Sequence, residues 1–322
     1  MSKRRLSQHQ QQRIEQRRSG DQHHSQGFEG LVVMNSGKKA SVRLDDDGRL
    51  LTCHQRANLA NVVAGDKVII SLDEQHPPVI ESLLPRRSLL SRPGFRGVIK
   101  PVAANVDQLL VVIAPAPGID LDLLDRSLCY CEWQGLDAVI ILNKIDLLAD
   151  DYRTLCDQLA DTYRAMGYTW IETSTEANIG LETLKTVCTN KTSVFLGNSG
   201  VGKSSLTQAL VPDVAIRTQQ LSSSTGLGQH TTNNATLYDL EIGGQLIDAA
   251  GIRSLELSEF AIEHPDRYWR DFRPYLGQCR FNNCTHDHEP DCAVKTAVES
   301  DVVALHRYQH YLRLLHSIPE SH

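Results

Sequence analysis

Residues 197–204, Gly197-Asn198-Ser199-Gly200-Val201-Gly202-Lys203-Ser204, match the pattern G-x-x-x-x-G-K-[ST], and their reading decides the fold. The apolar run 192–196 before them is of strand type, and residues from Ser205 to 210 read as the first turns of a helix. Glycines at these spacings let the backbone curl until successive N–H groups face the phosphates of a nucleotide. Lys203 is placed to reach the β- and γ-phosphates, and the Ser204 hydroxyl to bind Mg²⁺.

Upstream of this loop, apolar strands alternate with amphipathic helices. Residues 107–114 and 137–142 read as buried strands of a parallel sheet. A helix between them carries Leu121, Leu124, Leu128 and Cys131 on one face. A second helix, with Leu155, Leu159, Tyr163 and Met166, leads to a strand at 168–172. This βαβ alternation predicts a parallel sheet with helices on both faces.

The strand at 137–142 runs into Asn143-Lys144-Ile145-Asp146, of the form N-K-x-D. A carboxylate there accepts from both N1–H and the exocyclic amine of guanine, a donor pair that adenine lacks. Asn143 is expected to hold the loop, the Lys144 stem to pack on the base, and the Thr173-Ser174 loop to offer a backbone N–H to guanine O6. After the phosphate loop, Gly228-Gln-His230-Thr231-Thr232 has the form of a first switch, and Asp248-Ala-Ala-Gly251 that of D-x-x-G. Thr231 and Asp248 join Ser204 as expected Mg²⁺ ligands, with Thr232 and the Gly251 N–H near the γ-phosphate. N-K-x-D thus precedes the phosphate loop, whereas ordinary GTPases run the other way, so the domain reads as circularly permuted.

The flanks differ in kind. Residues 1–27 are rich in Gln, Ser and Arg, with too little apolar surface to offset the cost of ordering, and read as a disordered basic arm. Residues 28–84 hold five short β-like runs separated by turn residues, as in a small barrel. An OB-fold that binds RNA is the natural candidate, although periodicity alone does not separate it from an SH3-like barrel. A basic, Pro- and Gly-punctuated linker is expected over 85–105 at the head of the GTPase region, 85–257. In the C-terminal region, 258–322, Cys279, Cys284, His286 and Cys292 have the spacing of one structural zinc site, with His288 a less favoured alternative ligand. Val298, Val302, Leu305, Tyr308, Leu312 and Leu315 are expected to form the buried stripe of a last helix.

The 322 residues suffice for two or three domains. The composition, 41% hydrophobic and 22% charged, is that of soluble globular chains. No apolar run approaches the roughly 18 residues of a membrane span, and the polar start is unlike a secretory signal. Eight cysteines without such a signal suit a reducing cytoplasm. A net charge of −6 leaves any nucleic-acid contact to local basic patches.

From about residue 28 to 315 the chain resembles the RsgA family of bacterial small-ribosomal-subunit-dependent GTPases. The resemblance is carried by Ala104-Asn-Val-Asp-Gln108, Asn143 to Asp146, Gly197 to Ser204, Gly228 to Thr232 and the cysteine cluster. It implies a cytoplasmic monomer that binds GTP and GDP and acts late in maturation of the small subunit. Such a protein would bind 16S rRNA, hydrolyse GTP faster on the subunit, and work beside other small-subunit assembly factors. Ile252 follows Gly251 where Ras-like enzymes place a water-orienting Gln, and the resemblance points to His230 as the catalytic residue. Ala249-Ala250 stands where a Thr-Pro pair is common in related GTPases, with little expected effect. The competing reading is an RNA-binding module that holds nucleotide only as a structural ligand.

Overall fold

The computed structural model describes residues 27–57, 59, 61–73, 75–93, 98–214, 235–249 and 262–318. The expected basic arm, apart from Gly27, lies outside the described residues. So do Gly228, His230, Thr231, Thr232 and Gly251 of the expected switches.

Five strands form the barrel expected near the N-terminus: β1 (Gly27–Asn35), β2 (Lys39–Leu44), β3 (Leu50–Gln55), β4 (Lys67–Asp73) and β5 (His76–Leu83). β1 pairs antiparallel with both β2 and β4, and β3 pairs parallel with β5. The resulting order 1-2-3-5-4, closed from β4 back to β1, is that of an OB barrel. Its interior is apolar and alternates along the strands, with Val32, Ala40, Val42, Cys53, Val68, Ile70 and Ile80 buried together. Gly30 pairs with Leu44 on one side and Val68 on the other. A Cβ there would lie 2.8 Å from the Arg43 carbonyl, so only glycine lets the three strands close.

Two stretches of the expected linker are strands. β6 (Leu89–Pro93) and β7 (Ile99–Ala104) make a two-stranded ribbon, with Leu90 and Ala103 fully buried.

The second sheet is built on β8 (Gln108–Ile113), β9 (Asp137–Asn143), β10 (Thr169–Thr173), β11 (Thr192–Leu196) and β13 (Gln245–Ala249), all parallel in the order 10-9-8-11-13. A strand not foreseen in the sequence, β12 (Ala235–Asp239), runs antiparallel along β13. It also touches β1 at Met34 and Thr236, so barrel and sheet are continuous. Along β8 the side chains divide by parity. Leu109, Val111 and Ile113 face one core, while Leu110, Val112 and Ala114 face the other. Helices α1 (Leu121–Gln134) and α2 (Asp150–Ala165) cover the first face, and α3 (Leu181–Cys188) and α4 (Lys203–Leu210) the second.

The C-terminal region continues the first core. Trp269, Phe272, Val294 and Tyr311 pack in the same cluster as Leu124, Leu128 and Tyr163. Two helices complete it, α5 (Ala293–Glu299) and α6 (Leu305–Ser317). Of the expected stripe, Val298, Tyr308, Leu312 and Leu315 pack partly buried against this core, Val298 from α5 and the others from α6. Val302 and Leu305 are 67% and 58% exposed, while Arg307, His310, Tyr311 and Leu314 form the buried face. An apolar count misses a helix whose inner face carries paired charges. Leu155 of α2 is likewise exposed, and Cys156 takes its place in the core.

Candidate nucleotide site and metal centre

The motif-bearing loops leave the carboxyl ends of β9, β10, β11 and β13, the edge where open α/β sheets bind ligands. Permuting the chain order leaves this convergence intact, because neighbours in the sheet need not be neighbours in sequence.

The phosphate loop turns through Gly197, Gly200 and Gly202, with φ of 146°, 87° and 98°. Gly202 has a second constraint, since a Cβ there would collide with the Asn143 side-chain amide. That amide donates to the Val201 carbonyl at 2.9 Å, and the Asn143 oxygen accepts from the Thr173 hydroxyl at 3.0 Å. Fully buried, Asn143 thereby fastens the phosphate loop to the ends of β9 and β10. Lys144 adopts a left-handed φ of 60°, a strained conformation that its setting must hold. Its ammonium reaches the Gly200 carbonyl at 2.5 Å and the Ala116 carbonyl at 3.4 Å.

Asp146 is exposed, and one of its carboxylate oxygens accepts from the buried Ser174 hydroxyl. The same hydroxyl accepts from the Ala177 N–H at 3.0 Å. The Ser174 backbone N–H is already spent on the Ile179 carbonyl at 3.0 Å. With that N–H engaged, the next residue along this loop is Thr175.

Lys203, at the start of α4, folds its ammonium onto the Gly197 and Asn198 carbonyls at 2.6 and 2.7 Å. Ser204 and Ser205 lie exposed beside it in the first turn, and Ser199 is exposed at the crest of the loop. Asp248 sits near the end of β13 with its own surface open. The protein atoms behind it lift its carboxyl above the ordinary range, against the pull of the Lys203 ammonium.

In the C-terminal region the donor atoms of Cys279, Cys284, His286 and Cys292 lie within 4.8 Å of one another. His286 Nδ1 is 3.3 Å from Cys292 Sγ and 3.5 Å from Cys279 Sγ, and those two sulfurs are 3.8 Å apart. Tetrahedral zinc, with Zn–S near 2.3 Å and Zn–N near 2.0–2.1 Å, needs separations of about 3.5–3.8 Å. The residues fit a structural zinc ion. Burial opposes a charged imidazole at His286, but Asp266 and the sulfurs outweigh it and lift the group to about 9. Asp266 Oδ2 stands 3.7 Å from Nε2, in position to orient the ring. His288, by contrast, has an exposed side chain.

Compared with known proteins, residues 83–258 match the family model for the RsgA GTPase. The small ribosomal subunit biogenesis GTPase RsgA of Sodalis glossinidius is 40% identical over 328 residues, covering 98% of this chain and 95% of that protein. The crystal structure of YjeQ from Thermotoga maritima superposes with a TM-score of 0.76 at 31% identity, over 92% of this chain and all of that one. YloQ, described as a circularly permuted GTPase, superposes with a TM-score of 0.71 at 28% identity, over 92% of this chain and 96% of that one. With N-K-x-D ahead of its phosphate loop in sequence and that loop at the head of α4, the chain belongs to the RsgA GTPase family and is a GTP hydrolase.

Proposed function

We propose that this GTPase acts in the biogenesis of the small ribosomal subunit, binding 16S rRNA and hydrolysing GTP much faster on the subunit than alone. The observation that carries the reading is the meeting of Asn143, Asp146 and Ser174 with the phosphate loop at one edge of the sheet. Asp146, steadied by Ser174, accepts from the guanine edge while Thr175 offers the N–H for O6. The Lys144 stem, anchored on Gly200, supplies a surface for the ring. The amides of residues 198–202 and the Lys203 ammonium hold the phosphates. Ser204, Thr231 and Asp248 would hold Mg²⁺, which would supply positive charge to offset that developing on the phosphate oxygens. Thr232 and Gly251 complete the γ-phosphate contacts.

His230 orients the attacking water, since aliphatic Ile252 cannot. The OB barrel, the basic arm and the zinc-bearing region supply RNA contacts, and hydrolysis changes the affinity for the subunit and favours release. A cytoplasmic monomer that meets other assembly factors on the subunit suits this role. GTP hydrolysis by the full chain, measured with small subunits and with large subunits as control, tests it. Strong stimulation by small subunits alone is the expected result, lost in His230→Ala while GTP binding persists. Equal rates with and without small subunits would remove the ribosome from the reading.

A further inference from the structure

Asp120 sits where three pieces of the molecule meet. One carboxylate oxygen accepts the Leu123 N–H at 2.9 Å and caps α1. The other accepts from the Asn198 side-chain amide at 3.0 Å, inside the phosphate loop. The helix begun by this cap carries a row of acids that the C-terminal region grips. Asp125 is completely buried and takes Arg307 at 2.7 Å, His310 at 2.6 Å and the Tyr163 hydroxyl at 2.6 Å. Glu132, near the far end, takes Arg270 at 2.6 Å and Arg273 at 2.5 Å. Arg307 is itself held by Asp271 at 2.6 Å. A short helix is stiff along its axis, and its neighbours are packed too tightly to absorb a displacement at its start.

We propose that Asp120 is a positioning residue for the phosphate loop, and that through it α1 carries nucleotide occupancy to the C-terminal region. The inference rests on reading residues 197–204 as the phosphate loop. Asp120 holds Asn198 so that the first turn of the loop keeps its open shape. When phosphates fill the loop, Asn198, Asp120 and the cap of α1 are fixed together. The Asp125 and Glu132 contacts then pass that restraint to α6 and to the Trp269–Arg273 segment. No switch residue is needed for this route.

Asp120→Ser separates cap from link, because serine caps α1 well but is too short to hold Asn198. Asn198→Ala removes the same link from the other side. Each variant should release a fluescent GDP analogue roughly tenfold faster than wild type, the loss expected for one hydrogen bond to a charged group. The double variant should be no faster than either single one. Asp120→Asn, whose amide can donate to a reoriented Asn198, should restore slow release. Hydrogen exchange over residues 305–317 should slow on GDP binding in wild type and lose that response in Asp120→Ser. Wild-type release rates in both single variants, or an α6 response that persists in Asp120→Ser or is missing in wild type, would overturn the proposal. Absence of GDP binding by wild type would instead overturn the phosphate-loop reading beneath it.

Discussion

The barrel and the C-terminal region both adjoin the GTPase sheet, yet they are attached by different physics. The barrel closes on itself around its own apolar cluster. Beyond that cluster, Leu31, Val33, Met34 and Ala64 pack into the first core of the sheet, and the seam adds backbone and amide hydrogen bonds: Ala104 N–H to Ala64 at 2.9 Å, Asn105 to the Gly65 carbonyl at 2.8 Å, and the Met34–Thr236 pairing. Arg86 reinforces the joint with a two-pronged grip on buried Asp66. The C-terminal region has no separate cluster among the described residues. It borrows the core beneath α1 and α2 and sinks Arg307 and His310 against Asp125. A barrel with its own core can ride on a seam, whereas a region too small for one needs a metal and a neighbour.

That contrast can be broken experimentally. The largest effect should follow metal removal. A chelator, or Cys292→Ser, should abolish zinc binding and disorder the surroundings of Trp269, while the barrel keeps its β signal in circular dichroism. A Trp269 environment that survives complete zinc loss would show that the borrowed core suffices. Next comes a paired comparison of the two seams. Arg307→Met takes the guanidinium from two carboxylates, one of them fully buried, and should cost about 3–5 kcal/mol in urea unfolding. Asn105→Ala at the barrel seam removes amide hydrogen bonds and should cost only about 1–3 kcal/mol. Equal costs would mean that the seams do not differ in the way described.

The reversal of motif order was legible in the sequence because each motif is short, local and chemically constrained. The five barrel strands were legible for the same reason, since turn residues separate them cleanly. The attachment of the C-terminal region was hidden. Arg307 and His310 read as polar positions on a helix, and only the fold shows Asp125 waiting opposite them. The clue available was the acid spacing of Asp120, Asp122, Asp125 and Glu132 along one predicted helix, opposite a region holding Arg270, Arg273 and Arg307. Charge pairing across about 180 residues cannot be inferred from periodicity, which counts only apolar neighbours. The engagement of the Ser174 N–H was hidden likewise, since its Ile179 partner is set by the local turn.

The central claim is that loops drawn from strands out of their usual chain order build one guanine site, with Asp146 reading the base. Competitive binding of GTP and xanthosine triphosphate to wild type and Asp146→Asn tests it most directly. The substitution should weaken GTP roughly a hundredfold and reverse the preference in favour of xanthosine triphosphate, because the amide can donate where the carboxylate accepted. Unchanged GTP affinity in Asp146→Asn would contradict the assignment of the base pocket.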